Sequence, residues 1–302
     1  MRARMEDCRL TTLLAVPNVS EGRDAVAIAA IATALDARLL DTHSDPDHHR
    51  TVFTLAGEPG RLAGAVLAGA REALARIDLT RHQGLHPRVG AIDVAPVVYL
   101  DDLDRGAACA EALVLGDRLG DELALPVFLY GLLAGGRTRA ELRRGGLDAL
   151  AGRVRDGELR PDFGPPRLDP RAGAVLVAAR PPLVAFNVEL APGASLQRAR
   201  AIAASIREGG PEGLAGVRAI GVWLAHRDLA QVSANLEDHR ATSLAAVVAA
   251  VRRHADVQAA ELVGLAPRGA FRGFPDDVPV RNRATLEQAL EASDLQAPRP
   301  PD

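Results

Sequence analysis

The two halves of this 302-residue chain repeat one order of elements, and the repeat narrows the fold more than any single motif. The first half opens on an apolar run, 13–16, closed by Pro17-Asn18-Val19; the second opens on the run 183–189, which again carries Asn-Val, at Asn187 and Val188. From each start, apolar runs bounded by turn residues alternate with alanine-rich amphipathic stretches. The first half reads strand 13–16, helix 24–35, strands 38–41 and 51–56, helix 60–77 and strand 92–100; the second reads 183–189, 195–208, 217–224, 230–236, 243–257 and 261–265 in the same order. That is a split βαβ order. A helix 104–119 and a strand 127–130 complete the first half, Ser20 is placed to cap helix 24–35, and the polar stretch 42–50 reads as a loop.

This order predicts an α+β fold of two tandem α/β lobes, each a mixed β-sheet covered by helices on one face. Two such sheets bury their bare faces together and leave a cleft between the lobes. Residues 131–171, rich in Gly, Arg, Pro and Asp with helical turns within 139–154, read as a connection. The division is 1–172 for the first lobe, 173–294 for a shortened second lobe, and 295–302 for a proline-rich disordered tail.

Between helix 60–77 and strand 92–100 lies Arg81-His82-Gln83-Gly84-Leu85-His86-Pro87-Arg88-Val89-Gly90-Ala91-Ile92-Asp93-Val94. Gly84 and Pro87 forbid a continuous helix. Two imidazoles, two guanidiniums and a carboxylate are thus presented on a stiff loop feeding a strand, the kind of place where binding and catalytic groups concentrate.

Composition removes several classes. A formal net charge of −3 gives no footprint for nucleic acid. No apolar run approaches ~18 residues and no basic leader precedes one, so neither a membrane span nor a signal peptide is expected. Cys8 and Cys109 are too few for a disulfide framework or a zinc site and fit a reducing, cytoplasmic setting. All 36 basic residues are arginine, so no side chain can form a Schiff base and no P-loop lysine exists. Gly-x-Ser-x-Gly and Gly-x-Gly-x-x-Gly are absent, and His226-Arg227-Asp228 with Asp162-Phe163-Gly164 imitates kinase signatures in the wrong order. His43, Asp45, Asp47, His48 and His49 offer ligand types for a metal, but His82 and His86 at a spacing of four share a face only on a helix, so no metal is expected.

Six ordered motifs carry a resemblance. They are Val16-Pro17-Asn18-Val19-Ser20-Glu21-Gly22, Arg50-Thr51-Val52-Phe53-Thr54, the His-x-Gly-x-His-Pro-Arg-x-Gly-Ala-x-Asp-Val loop from His82, Pro161-Asp162-Phe163-Gly164-Pro165, Phe186-Asn187, and Ala230-Gln231-Val232-Ser233-Ala234-Asn235-Leu236. In them the chain resembles the formiminotransferase domain family, to about Pro267. The resemblance implies transfer of a formimino group from N-formiminoglutamate to N5 of tetrahydrofolate, with tetrahydrofolate as co-substrate. It also implies small-molecule partners only, a homodimer, and a cytoplasmic role in histidine breakdown or one-carbon salvage. The family's catalytic histidine matches His82; an imidazole titrating near ~6.5 can act as general base and acid at a tetrahedral intermediate. Folate contacts of the family fall on 162–171 and 219–228, which makes Asp162, Phe163, Gly164, Pro165, Ile220, Gly221 and Trp223 the folate-binding candidates. Arg50 and Arg88 are candidates to clamp glutamyl carboxylates. His86 and Asn18 join them as substrate-binding candidates, with Asn187 and Asn235 for the pterin ring. Asp93 either orients a loop histidine or receives turn amides.

Two departures bear on the donor. Where the family reads Asp-Val-Asp this chain has Asp41-Thr42-His43, and Leu85 stands where the family has Glu. Two carboxylates that would face a cationic amidine are gone. A transferase using formylglutamate, or a non-catalytic homologue binding folate or another small ligand, are therefore the alternatives. A metal-dependent hydrolase built on His43, His48, His49 and His82 is a third. No cyclodeaminase activity is expected within this length.

Overall fold

The computed structural model describes residues 11–84 and 87–296. The first lobe contains β1 (Leu13–Ala15), β2 (Asn18–Val19), α1 (Ala25–Ala34), β3 (Arg38–Asp45), β4 (Arg50–Gly57), α2 (Leu62–Arg76), β5 (Ile92–Tyr99), α3 (Arg105–Glu122), β6 (Val127–Leu129), α4 (Arg139–Arg143), α5 (Gly146–Arg155) and β7 (Val175–Arg180). β1 and β2 are two pieces of one strand, since both pair antiparallel with β4 on one side and β5 on the other. Pro17 parts them, as a residue without an N–H must in mid-sheet. Its carbonyl still accepts Phe53 N–H at 3.0 Å, while Val16 N–H donates to Pro96 O at 3.0 Å.

β3 lies outside β4, and β7 continues the sheet beyond β5 and is parallel to both β5 and β6. Helices α1 to α3 cover one face over Phe53, Leu55, Val97 and Val177. Strand β7 corrects the division at 172/173: it completes the first sheet, so that lobe runs past the expected boundary. A parallel strand buried on both faces shows a continuous apolar run with no alternation to mark it.

The second lobe contains β8 (Val184–Leu190), α6 (Leu196–Ile206), β9 (Val217–Leu224), β10 (Leu229–Leu236), α7 (Leu244–Arg252), β11 (Val257–Val263), β12 (Val280–Arg281) and α8 (Leu286–Gln296). Its sheet runs β12–β11–β8–β10–β9, parallel only at β11–β12. Alternation sorts the faces: Phe186, Val188, Val232 and Ala234 pack under α6 and α7, leaving Asn187, Glu189, Gln231, Ser233 and Asn235 for the other side. The molecule is thus α+β, with two lobes and two mixed sheets.

Only residues 181–183, two prolines and a leucine, join β7 to β8. Helix α8 returns to the first lobe, where Leu286 and Leu290 pack with Leu14, Ala56 and Val98, and Arg38 pairs with Asp294. Leu295 and Gln296, expected in a disordered tail, belong to this helix; 297–302 lie outside the described residues.

Two local expectations change. The stretch 42–50 is mostly strand, with only the turn 46–49 between β3 and β4, and His49 takes the left-handed φ of 52° that closes it. Ser20 does not cap α1; its hydroxyl donates to Gly90 O at 2.7 Å. Asp24 is the cap, accepting from the N–H groups of Val26 at 2.9 Å and Ala27 at 3.0 Å. Asp24→Ala is expected to cost about 1 kcal/mol, read as a small fall in melting temperature with the fold intact by circular dichroism.

Candidate functional site

Asp93, on β5, is fully buried and organises the floor of the site. Its Oδ2 accepts from Arg50 Nη1 at 2.6 Å and from Arg143 Nη2, and its Oδ1 accepts Val89 N–H at 2.8 Å. Arg50 Nε donates to Asn18 Oδ1 at 2.9 Å, and Asn18 is itself fixed through Val16 O at 2.8 Å. Burial pushes the Arg50 guanidinium down to about 10, with Asp93 working against it, so it is charged at neutral pH.

Above this floor is a pocket lined by the open faces of both sheets. The first lobe contributes Arg50, Arg139, Arg143 and Arg180; the second contributes Asn187, Ser233 and Asn235. The Nε atoms of Arg143 and Arg180 are buried with no hydrogen-bond partner, as is His43 Nε2 on the same wall. Burial lowers the affinity of Arg180 for its proton, Tyr130 opposing the effect. Converging guanidiniums with unused buried donors suit an oxyanion ligand. Asp45 and His48 also line the pocket, His48 Nδ1–H donating to Asp45 Oδ2 at 2.8 Å.

His82 is not among the lining residues. It ends a short turn capped by Asp78, and its ring stacks on His49 at 4.2 Å between centroids. Its Nε2 lies 3.0 Å from His49 O. A carbonyl only accepts, so Nε2 carries the hydrogen and the basic lone pair is on Nδ1, which is buried without a partner. Burial pushes the imidazole down to about 4; the bond to the His49 carbonyl opposes this, and Arg88 and His49 reinforce it. Gly84 keeps the loop against the 46–49 turn, since a Cβ there would run into His48 O and His49 Cβ.

The predicted residues therefore fall in separate places. Asn18, Arg50, Asn187 and Asn235 come together in the pocket, with Asp93 beneath them. Arg88 does not join Arg50: it donates to His82 O at 2.7 Å and faces a second depression shared with Leu168, Asp169 and Pro170. His86 and Leu85 lie outside the described residues. Asp162 accepts Leu129 N–H at 2.7 Å and pairs with Arg137, and the Phe163 ring and Gly164 backbone sit close against Gly116 and Gly120 of α3. Pro165, next in chain, is likewise absent from the pocket wall. Gly221 lies against Ala199 and Arg200 of α6, and Trp223 packs into the same helix-side core, while Ile220 is exposed. None of these seven folate candidates lines the arginine pocket. Among the described residues no group of three or more His, Cys, Asp or Glu is disposed to hold a metal ion.

Sequence reading missed Arg139 and Arg143 because 131–171 read as a connection, and Arg180 because the run before it shows no alternation. Their signal was the density of arginine at 137–144 and one arginine closing the apolar run 174–179.

Four guanidiniums over a pocket lined by both sheets of a two-lobed α+β protein chemically suit a small, multiply anionic ligand. The chain matches the formiminotransferase domain, N-terminal subdomain, over residues 12–180 and the formiminotransferase domain over residues 185–273. It is 40% identical over 275 residues to formimidoyltransferase-cyclodeaminase of Sus scrofa, covering 85% of this chain and 50% of that protein. Against glutamate formimidoyltransferase of Streptococcus pyogenes serotype M1 the identity is 36% over 268 residues, 85% of this chain and 89% of the other. Against the protein of that name from Thermoplasma acidophilum it is 34% over 270 residues, 85% and 88%. The chain spans about half the length of the first of these relatives. It belongs to the formiminotransferase domain family. No described helix is long and apolar enough to cross a membrane.

Proposed function

We propose that this chain transfers the formimidoyl group of N-formiminoglutamate to N5 of tetrahydrofolate. The observation that carries this reading is the pocket itself: Arg50, Arg139, Arg143 and Arg180 stand where glutamyl carboxylates would be held, facing Asn187, Ser233 and Asn235, which offer hydrogen bonds to a pterin. In this reading the pocket is the expected cleft between the lobes. The N5 lone pair attacks the amidine carbon, the tetrahedral intermediate loses the N5 proton to His82 Nδ1, and the C–N bond to glutamate breaks as its nitrogen takes a proton. Asp93 holds Arg50 and Arg143 in place for the carboxylates. A homodimer in the cytoplasm belongs to the same proposal, with the dimer tested by sedimentation.

Formylglutamate is the second donor to consider, because His43 and four arginines outnumber the Asp45 carboxylate on the pocket wall, surroundings that disfavour a cationic amidine. Purified protein assayed with tetrahydrofolate and each donor in turn separates the two. Formation of 5-formiminotetrahydrofolate establishes the first reading; product from formylglutamate alone establishes the second. Product from neither, with folate retained in calorimetry, leaves a binding homologue. Arg180→Ala is expected to raise KM for the glutamyl donor about tenfold or more while kcat changes little, the signature of lost uniform binding. An unaltered KM for both substrates removes Arg180 from the clamp.

A further inference from the structure

We propose that His48, held by Asp45, is a second proton-transfer residue of this pocket, the one that protonates the leaving nitrogen while His82 accepts the proton of the attacking one. The inference rests on the transfer reaction proposed above and assigns a second catalytic group within it. It starts from position: His48 lines the arginine pocket and is only 7% exposed, whereas His82 lies outside the lining.

The orientation of His48 is fixed from several sides. Asp45 accepts twice from it, through the backbone N–H at 2.8 Å and through Nδ1–H at 2.8 Å. An ionised carboxylate only accepts, so Nδ1 bears the hydrogen and Nε2 is the atom that exchanges protons. The turn carrying the ring is pinned by Arg23 Nε on Pro46 O at 2.9 Å and by Gly22 N–H on His49 Nδ1 at 3.0 Å. Gly84 closes over it from the other side. Burial works to raise the Asp45 carboxyl, yet the hydrogen bonds and charge of His48 outweigh it and hold the group below its usual range. The carboxylate therefore stays charged beside the ring and fixes its orientation.

The reaction needs two proton movements at two nitrogens, and the two histidines have opposite surroundings. His82 is desolvated next to Arg88 and carries its lone pair on Nδ1, which suits a base. His48 is backed by a carboxylate, which suits an acid. Paired groups in contrasting environments divide acid and base roles in this way. The balance closes: the N5–carbon bond forms from the N5 lone pair, the carbon–nitrogen bond to glutamate breaks with its electron pair on nitrogen, His48 Nε2 gives that nitrogen a proton, and His82 Nδ1 holds the proton from N5. Exchange with water restores both rings between turnovers.

His48→Asn is the test, because the amide can keep donating to Asp45 but cannot carry a proton. The expected result is a kcat lower by about 10²–10³-fold, KM values for donor and tetrahydrofolate nearly unchanged, an unchanged melting temperature, and partial recovery of kcat with added imidazole. Asp45→Asn, which leaves the imidazole and removes its carboxylate, is expected to lower kcat in the same sense. Undiminished kcat in His48→Asn overturns the assignment, as does a kcat loss that tracks a loss of melting temperature and is not rescued by imidazole. Absence of turnover in the unaltered protein with either donor overturns the transfer reading and this assignment together.

Discussion

Asp93→Ala is expected to destabilise the protein by about 3–5 kcal/mol, the cost of breaking a buried ion pair from one side. The carboxylate has no exposed surface and balances two guanidiniums, Arg50 and Arg143, while receiving the Val89 amide. Its removal leaves two buried positive charges facing each other and unpairs the amide that anchors the start of β5. Asp93→Asn keeps an acceptor and the shape but not the charge, so it should fall between wild type and alanine. Urea melts of the three proteins order them, and an alanine variant within about 1 kcal/mol of wild type would show that the two arginines find other partners. Arg50 itself is expected to stay ionised across ordinary pH, so the effect should not depend on pH near neutrality.

His82→Ala is expected to lower kcat by about 10²–10⁴-fold, the usual contribution of a positioned acid or base, with folate affinity kept within about tenfold by calorimetry. Equal loss of affinity and turnover would make His82 a binding residue. The pH dependence adds a second readout. A histidine whose folded value is about 4 is neutral at pH 7, so activity limited by His82 as base should hold toward acid and fail only as pH falls through that value. The sign for stability follows from the same shift. The unfolded chain, with an ordinary histidine near ~6.5, binds its proton first, so the contribution of neutral His82 is whole above that pH and is lost as pH falls toward and through 4. The alanine variant should show a flatter acid limb in melting temperature over that window.

Much of this was legible in advance because period and punctuation were strong. The repeated Asn-Val strand ends brought Asn18 and Asn187 to the same pocket, and Arg50 followed Asn18 through β4. What escaped had no local mark. β7 is buried on both faces, so nothing alternates in Val175–Arg180. Arg143 and Arg180 acquire meaning only from Asp93 and β5, 50 or more residues away in chain, and Arg139 from the pocket it shares with them, where no motif looks. Alternation did contain a warning for β9: Gly221 and Trp223 share the parity of Val217 and Ala219, which places them under α6 on the side away from the pocket. Ser20 lost its capping role because Gly90 O offered its hydroxyl a tertiary partner.

The lobes are joined by the Pro181-Pro182-Leu183 link, by α8 folded back onto the first sheet, and by His226 Nε2 lying 3.8 Å from Asp47 Oδ1. Two prolines stiffen the link, and Pro182 and Leu183 are themselves part of the wall. A frame joined in this way is expected to stand still while a ligand threads in past side chains. Occupancy should leave the scattering envelope of the protein almost unchanged, and the entropic toll of association falls on the guest more than on the host.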